Sequence, residues 1–336
     1  MKYILTKIFN NETLMHEEIE KVFRWALMKA IPPSVIGAFI YGLAKKGVST
    51  EELTSLTSIL RSYAQRIETG FSIVDSCGTG ADNSQSFNIS TASAIVAAAA
   101  GARVVKQTNS SITSRTGSSE FIHYLKLPLC TTVEQVQAQV SNHNIAFVHS
   151  PQFNKAIQTI NPIRQELGIR STFNFTGPMI NPSFPEAQLV GVCERSMMEK
   201  MANTLKNLGT KRAMIVHGLE PSLDEISVCS KTHVFELNEG NIKEYYLSPE
   251  DFGMEIAELK KLMGATGLYN ANLVIDIFKG KIRDAKTDVI ALNAGAMLYL
   301  NNITKSLQDG VILASGVIAS GKAYEKLISI PQTSCI

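Results

Sequence analysis

The chain is predicted to be an α/β protein of 336 residues. A small N-terminal helical domain, residues 1–70, should precede a larger α/β domain, residues 71–336, with a mostly parallel central sheet. Three observations predict this. Apolar residues recur at helical spacing through the first ~70 residues. From Phe71 onward, short apolar runs of strand length alternate with longer helical stretches, the pattern of a sheet covered on both faces. The length suits about two domains of ~150 residues each.

Taken in order, Ile19, Val22, Phe23 and Ala26 line one helical face, and Pro32-Pro33 ends that segment. Residues 35–46 form the next helix, closed by Gly47. Ser49, with Glu52 three residues on, caps a third helix whose apolar face is Leu53, Leu56, Ile59, Leu60 and Tyr63. Together these read as a helical bundle or a dimerising lobe. Residues 71–75 (FSIVD) read as a strand broken by Gly78-Thr79-Gly80. Asn88, Ser90 and Thr91 head an Ala-rich run, residues 92–100, that stops at Gly101; this is a helix expected to carry hydroxyl caps. A second strand, 102–106, feeds a polar loop, 107–114.

Farther on, residues 145–148 and 213–216 are buried-strand candidates. Between them, 161–182 is bounded by prolines and reads as a helical insertion packing back on the N-terminal domain. Residues 236–246 form a hairpin turning at 238–240. Helices are expected over 288–300, 310–320 and the end of the chain.

Composition excludes several function classes. Lys and Arg total 32 against 30 Asp and Glu, so the net charge of +2 gives no global attraction to nucleic acid. No apolar run approaches the ~20 residues of a membrane span. The N-terminus shows no signal-peptide core, and a soluble cytoplasmic protein is expected. The five cysteines, 77, 130, 193, 229 and 335, form no CxxC pair, which argues against a zinc ribbon or disulfide scaffold. Cys77 adjoins the first turn but reads as a small buried filler. His143 and His149 lack ligand spacing.

Two turns rich in Gly, Ser, Thr and Asn flank one strand–helix–strand unit. Their backbone N–H groups, a helix N-terminus and the Lys106 charge suit phosphate oxygens. Neither GxxxxGK[ST] nor GxGxxG is present, so ATP-type and dinucleotide sites lose ground. Asp224-Glu225 follow a buried strand. Adjacent carboxylates there suit a magnesium ion shared with substrate phosphates, although a solvated acidic turn has the same local sequence. Arg164 carries a guanidinium able to hold a planar carboxylate. Arg115 and Arg170 share that capacity, and all three also fit ordinary ion pairs.

These residues, in this order, resemble the anthranilate phosphoribosyltransferase family. The resemblance runs from about Glu12 to Leu327 through VIGAFIYGLAKKG, GTGAD, SFNISTASAIVAAAAG, GIRSTFNFTGPMINP, HGLEPSLDEIS, LSPEDFG, LNAGAMLYL and SGKA. It implies a class IV phosphoribosyltransferase fold, like that of nucleoside phosphorylases, in a homodimer formed through the helical part. It also implies magnesium-dependent transfer of phosphoribose, with inversion, from phosphoribosyl pyrophosphate (PRPP) to the amine of anthranilate in tryptophan biosynthesis.

By that resemblance PRPP would be held by Gly78, Ala81, Asp82, Ser86, Asn88, Ile89, Ser90, Thr91, Lys106, Ser114 and Ser118. Magnesium ligands correspond to Ser90, Asp224 and Glu225. The acceptor site corresponds to Gly78, Asn109 and Arg164. No residue is singled out as a catalytic acid or base.

The chain departs from the family pattern in places. Ala81 replaces the second of two adjacent glycines, where positive φ or a close approach would disfavour alanine. Gln107, Thr108 and Ser110 replace histidine, glycine and arginine, and Asn154 replaces a histidine. Thr108 brings a branched side chain where backbone would otherwise approach the acceptor. The phosphate and metal parts thus look retained and the acceptor wall altered. A paralogue acting on another aromatic or heterocyclic acceptor stays open at this point, as does an idle nucleic-acid-binding relative, which the near-neutral charge disfavours.

Overall fold

A computed structural model describes residues 1–80, 82, 84–108 and 117–331. Its strands are β1 Val74–Gly78, β2 Val104–Thr108, β3 Leu129–Cys130, β4 Ile145–His149, β5 Ala187–Gly191, β6 Arg212–Gly218, β7 Thr232–Asn238 and β8 Asn241–Leu247. They form one sheet in the order β3-β4-β2-β1-β5-β6-β7-β8. Pairings from β3 through β6 are parallel, while the β6–β7 and β7–β8 pairs are antiparallel.

The helices are α1 Lys2–Phe9, α2 His16–Leu27, α3 Pro33–Lys46, α4 Thr50–Ser62, α5 Ile89–Ala99, α6 Ser118–Tyr124 and α7 Val133–His143. They continue as α8 Lys155–Leu167, α9 Thr172–Thr176, α10 Met198–Asn207, α11 Gly267–Phe278, α12 Ala285–Leu300, α13 Leu307–Ala319 and α14 Lys322–Ser329. The period of two along each strand divides them into layers. Val104, Phe147, Leu189, Met214 and Val216 face the core shared with α5, α11, α12, α13 and α14. Val190, Ala213 and Ile215 face the opposite core, shared with α1–α4, α8, α9 and α10. Ile160 and Ile163 of α8 and Phe173 of α9 belong to that second core. Beyond β2, Val105, Ala146 and Val148 pack on Val136 and Val140 of α7.

The N-terminal helices start where their caps dictate. Pro33 occupies the first turn of α3, where its missing N–H costs nothing. Ser49 Oγ accepts from Glu52 N at 3.2 Å, and Glu52 Oε2 accepts from Ser49 N at 3.0 Å. The Glu52 carboxylate is buried, but Lys46 Nζ at 2.6 Å and Leu14 N at 2.8 Å satisfy it. Asn154 caps α8 by accepting from the Ala156 and Ile157 amides at 3.1 Å, and its Nδ2 donates to Leu60 O at 2.8 Å.

Some boundaries differ from the sequence reading. Lys2–Phe9 adds a helix before those foreseen. The α8 helix begins at Lys155 and runs through Pro162, since its cap lies upstream of that proline. Gln107 and Thr108 belong to β2 rather than to a loop, because they pair with Val148 and His149 of β4. β1 runs on to Gly78, in register with Gly191 of β5.

Chain order reverses around β1. From β1 the sheet grows outward through β2 in one direction and through β5 in the other. In open α/β sheets a crevice forms at such a reversal, outside the carboxyl ends of the strands. The β1 turn, the α5 N-terminus and the segment carrying Asp224 all meet there.

Candidate active site

The β1 turn is anchored before it meets any ligand. Thr79 N donates to Gly191 O at 2.9 Å, and Thr79 Oγ1 accepts from Cys193 N at 3.0 Å. Gly80 takes φ of +68°, a conformation that glycine enters without strain, and its N–H donates to Asp224 Oδ2 at 2.7 Å. Asp82 accepts from Ser84 N and Ser84 Oγ, each at 3.0 Å, and faces Asp224 N at 3.4 Å. With its one proton given to Asp82, Ser84 Oγ accepts from Ser86 Oγ at 3.1 Å and from Ser86 N at 3.2 Å.

Asp224 crosses the ends of β1 and β5. A Cβ on Gly78 would overlap the Asp224 carboxylate, and one on Gly191 would overlap the Asp224 backbone carbonyl. Two glycines in register therefore make room for one acidic residue 33 positions downstream of the second. This is the packing reason for glycine at both positions, and only Gly78 stood out in the sequence.

The carboxylates Asp82, Asp224 and Glu225 come together here. Asp224 and Glu225 keep some solvent access while lying deep among protein atoms. Burial, with the Asp82 charge added, pushes the Asp224 carboxyl up to about 7. Glu225 is raised well above its ordinary range, first by burial and then by Asp224; the Lys106 charge and the Ser90 amide oppose the rise. An arrangement that leaves acids short of positive charge suits a cation. Among the described residues no three His, Cys, Asp or Glu side chains form a cage for one. Two carboxylates completed by phosphate oxygens and water is the set magnesium takes, so the residues fit that ion.

Lys106 lies on β2, buried, and its amine donates to Ser76 O at 2.5 Å. Its charge opposes the upward shifts that burial imposes on Asp75 and Cys77. Asp75 is fully buried and accepts from Asn181 Nδ2 at 2.7 Å, while the same nitrogen donates to Val105 O at 2.8 Å. Asp75 and Asn181 escaped the sequence reading. A carboxylate closing the apolar run FSIVD was the available signal. Burial drives the Cys77 thiol to about 12, which disqualifies it as a thiolate nucleophile at neutral pH.

Ile89, Ser90 and Thr91 form the first turn of α5, with Asn88 as its N-cap. Contrary to the expectation of hydroxyl caps, the Asn88 side chain accepts nothing from that turn, and Ser90 and Thr91 are already helical. Asn88 Oδ1 instead accepts from Asn270 Nδ2 at 3.1 Å. Ser86 is bridged to Met263 through backbone, and Ser118 begins α6. Ala81, Asn109, Ser110, Ser114 and Arg115 lie outside the described residues.

Arg164 is set apart on α8. Nη1 donates to Asn161 Oδ1 at 3.1 Å, the guanidinium lies 5.7 Å from the Phe173 ring centroid, and burial lowers its pKa to about 10. Among the described residues no carboxylate pairs with it, so it remains able to receive one. Gln107 Nε2 donates to Gly177 O at 2.8 Å, and Thr108 Oγ1 donates to Val148 O at 3.0 Å. Both side chains are thus engaged with backbone.

Residues 70–324 match the glycosyl transferase family a/b domain, and residues 2–64 match the helical bundle domain of the same family. The chain is similar to the anthranilate phosphoribosyltransferase of Alkaliphilus metalliredigens, 38% identical over 99% of this chain and 98% of that one. It is similar to the crystal structure of anthranilate phosphoribosyltransferase from Thermus thermophilus, with a TM-score of 0.89 and 32% identity over 97% of this chain and 98% of that one. The Saccharomyces cerevisiae enzyme in complex with PRPP and Mg shares the fold, with a TM-score of 0.87 and 23% identity over 98% of this chain and 96% of that one.

Proposed function

The chain belongs to the anthranilate phosphoribosyltransferase family, and with that membership as premise we propose that its site transfers phosphoribose from PRPP to anthranilate with magnesium. The products are N-(5-phosphoribosyl)anthranilate and pyrophosphate. The bond from ribose C1 to pyrophosphate breaks, a bond from the anthranilate nitrogen to C1 forms, and the amine proton passes to solvent. The observation that carries the reading is Asp224-Glu225 laid across the carboxyl ends of β1 and β5, against the Gly80 turn.

In this reading the Gly78–Asp82 turn, Ser86 and the first turn of α5 bind PRPP through backbone N–H groups and hydroxyls. Lys106 sets a fixed positive charge under that turn. Asp224 and Glu225, with Ser90, would hold magnesium, which when bound offsets the charge gathering on the departing pyrophosphate. Asp224 and Glu225, both raised in the ligand-free protein, would give up their protons on holding that ion. Arg164 would orient the anthranilate carboxylate. Ala81, Asn109, Ser114 and Ser118 are assigned to PRPP or acceptor by family resemblance alone.

Homodimerisation through the helical part fits the exposed Tyr3 and Phe9 on α1 and Tyr41 on α3. Cytoplasmic residence fits a biosynthetic enzyme, and among the described residues no helix is long and apolar enough to cross a membrane.

The direct test is PRPP consumption that requires both anthranilate and magnesium. Asp224→Asn with Glu225→Gln should abolish the magnesium dependence of PRPP binding in calorimetry while preserving the fold. Unchanged metal dependence in that variant would overturn the assignment.

A further inference from the structure

Asn270 lies in the first turn of α11, 2% exposed, on an element that none of the preceding assignments uses. Its orientation is fixed by one peptide group. The Ala265 N–H can only donate, so the Asn270 atom 2.9 Å away is Oδ1. Nδ2 must then face Asn88, and the Asn88 atom 3.1 Å from it must be an acceptor, Oδ1. The polarity of both side-chain amides follows from a single backbone N–H.

That polarity has a consequence at α5. An asparagine N-cap ordinarily turns its oxygen onto the first-turn amides, as Asn154 does for Ala156 and Ile157. Asn88 makes no such bond, and its oxygen is bonded to Asn270. Asn88 caps none of the first-turn N–H groups of α5: Ile89 N donates to Phe87 O at 2.7 Å, and the Ser90 amide faces Glu225.

The 262–264 segment that packs on Asn270 is tied to the chain leading into α5. Gly264 N donates to Gln85 O at 2.9 Å, and Phe87 N donates to Leu262 O at 3.1 Å. A Cβ on Gly264 would come within 2.7 Å of Asn270 Oδ1 and 2.8 Å of Phe87 Cα, so glycine is what lets the asparagine reach across.

We propose that Asn270 is a positioning residue: by occupying Asn88 Oδ1 it turns the Asn88 amide nitrogen, at the α5 N-terminus, toward the phosphates of PRPP. This rests on the PRPP reading of the site. Asn270→Asp keeps an acceptor for the Ala265 N–H but removes the donor to Asn88. Asn88 then turns its nitrogen inward and its oxygen to the phosphates.

The experiment is steady-state kinetics on the full chain with magnesium, accompanied by calorimetric PRPP titration of the unaltered protein. Asn270→Asp should raise KM for PRPP about tenfold, the scale of a charge-assisted bond, with kcat and the anthranilate KM within about twofold. Asn270→Ala frees Asn88 to cap α5, and its KM for PRPP should rise about threefold. In an Asn88→Ala background either change should add less than about twofold, since the coupled partner is gone. Parental KM for PRPP in both single variants would overturn the proposal. So would an undiminished effect in the Asn88→Ala background, which would reveal added charge or general disruption. Failure of the unaltered protein to bind PRPP would instead overturn the functional reading, and this inference with it.

Discussion

The backbone carbonyl of Asp224 occupies the space that a side chain on Gly191 would need. Gly191 ends β5 beside Gly78 at the end of β1, so the acidic segment rests directly on the sheet where its chain order reverses. Asp224 then reaches the Gly80 amide, which ties metal-binding and phosphate-binding segments into one unit.

Gly191→Ala should therefore act as a site mutation although its φ is ordinary. The new methyl meets backbone, which cannot rotate away, and overpacking of this kind costs about 1–3 kcal/mol. Denaturant unfolding should show that loss. PRPP titration should show weakened binding through displacement of Asp224. Parental values for both would count against the close approach.

The raised acids predict a pH dependence of the ligand-free protein. Protons are held on Asp224 in the folded state up to about 7, against an ordinary value of 3.8. This contribution to stability is fully present below 3.8 and is lost as pH rises through about 7. Each group adds a slope of at most about 1.4 kcal/mol per pH unit. Magnesium with PRPP binds the deprotonated forms, so affinity should rise over the interval in which apoprotein stability falls. Thermal unfolding and calorimetry from about pH 4 to 7, the window between those two values, check both signs. A flat apoprotein profile in Asp224→Asn with Glu225→Gln would trace the slope to the pair.

Lys106→Met should impair PRPP use tenfold or more, matching about 1.5–3 kcal/mol for a charge-assisted contact. The amine is buried and bonded to Ser76 O, and its charge offsets Asp75 and Glu225. The variant should thus lose stability as well, and Asp75 should titrate higher still. A parental KM for PRPP would remove Lys106 from the site.

Gln107→His with Thr108→Gly installs the residues usual in the family. Read from sequence, the swap should improve anthranilate use by clearing a branched side chain from the acceptor wall. In the fold the two side chains donate to Gly177 O and Val148 O. We expect the double variant to lose about 1–2 kcal/mol through a missing buried bond and a glycine inside a strand. At saturating PRPP, the anthranilate KM should shift by less than about twofold. A large fall in that KM would show that these positions do face the acceptor.

The sequence by itself determined whatever depends on near neighbours. The Ser49–Glu52 cap, the apolar faces of the N-terminal helices, the alternation of strand and helix and the 238–240 hairpin are set by residues a few positions apart. So is the turn at Gly80, whose φ demand is local. Tertiary structure decided what depends on pairing across the chain. Gln107 and Thr108 carry no strong strand signal; they are strand because β4 lies beside them. Asp75 meets Asn181 across 106 positions, Gly191 is required by Asp224, and Asn88 is turned by Asn270 from 182 positions away. A glycine, an amide or a buried carboxylate looks alike in any local window. What it does is fixed only by the group that folding brings against it.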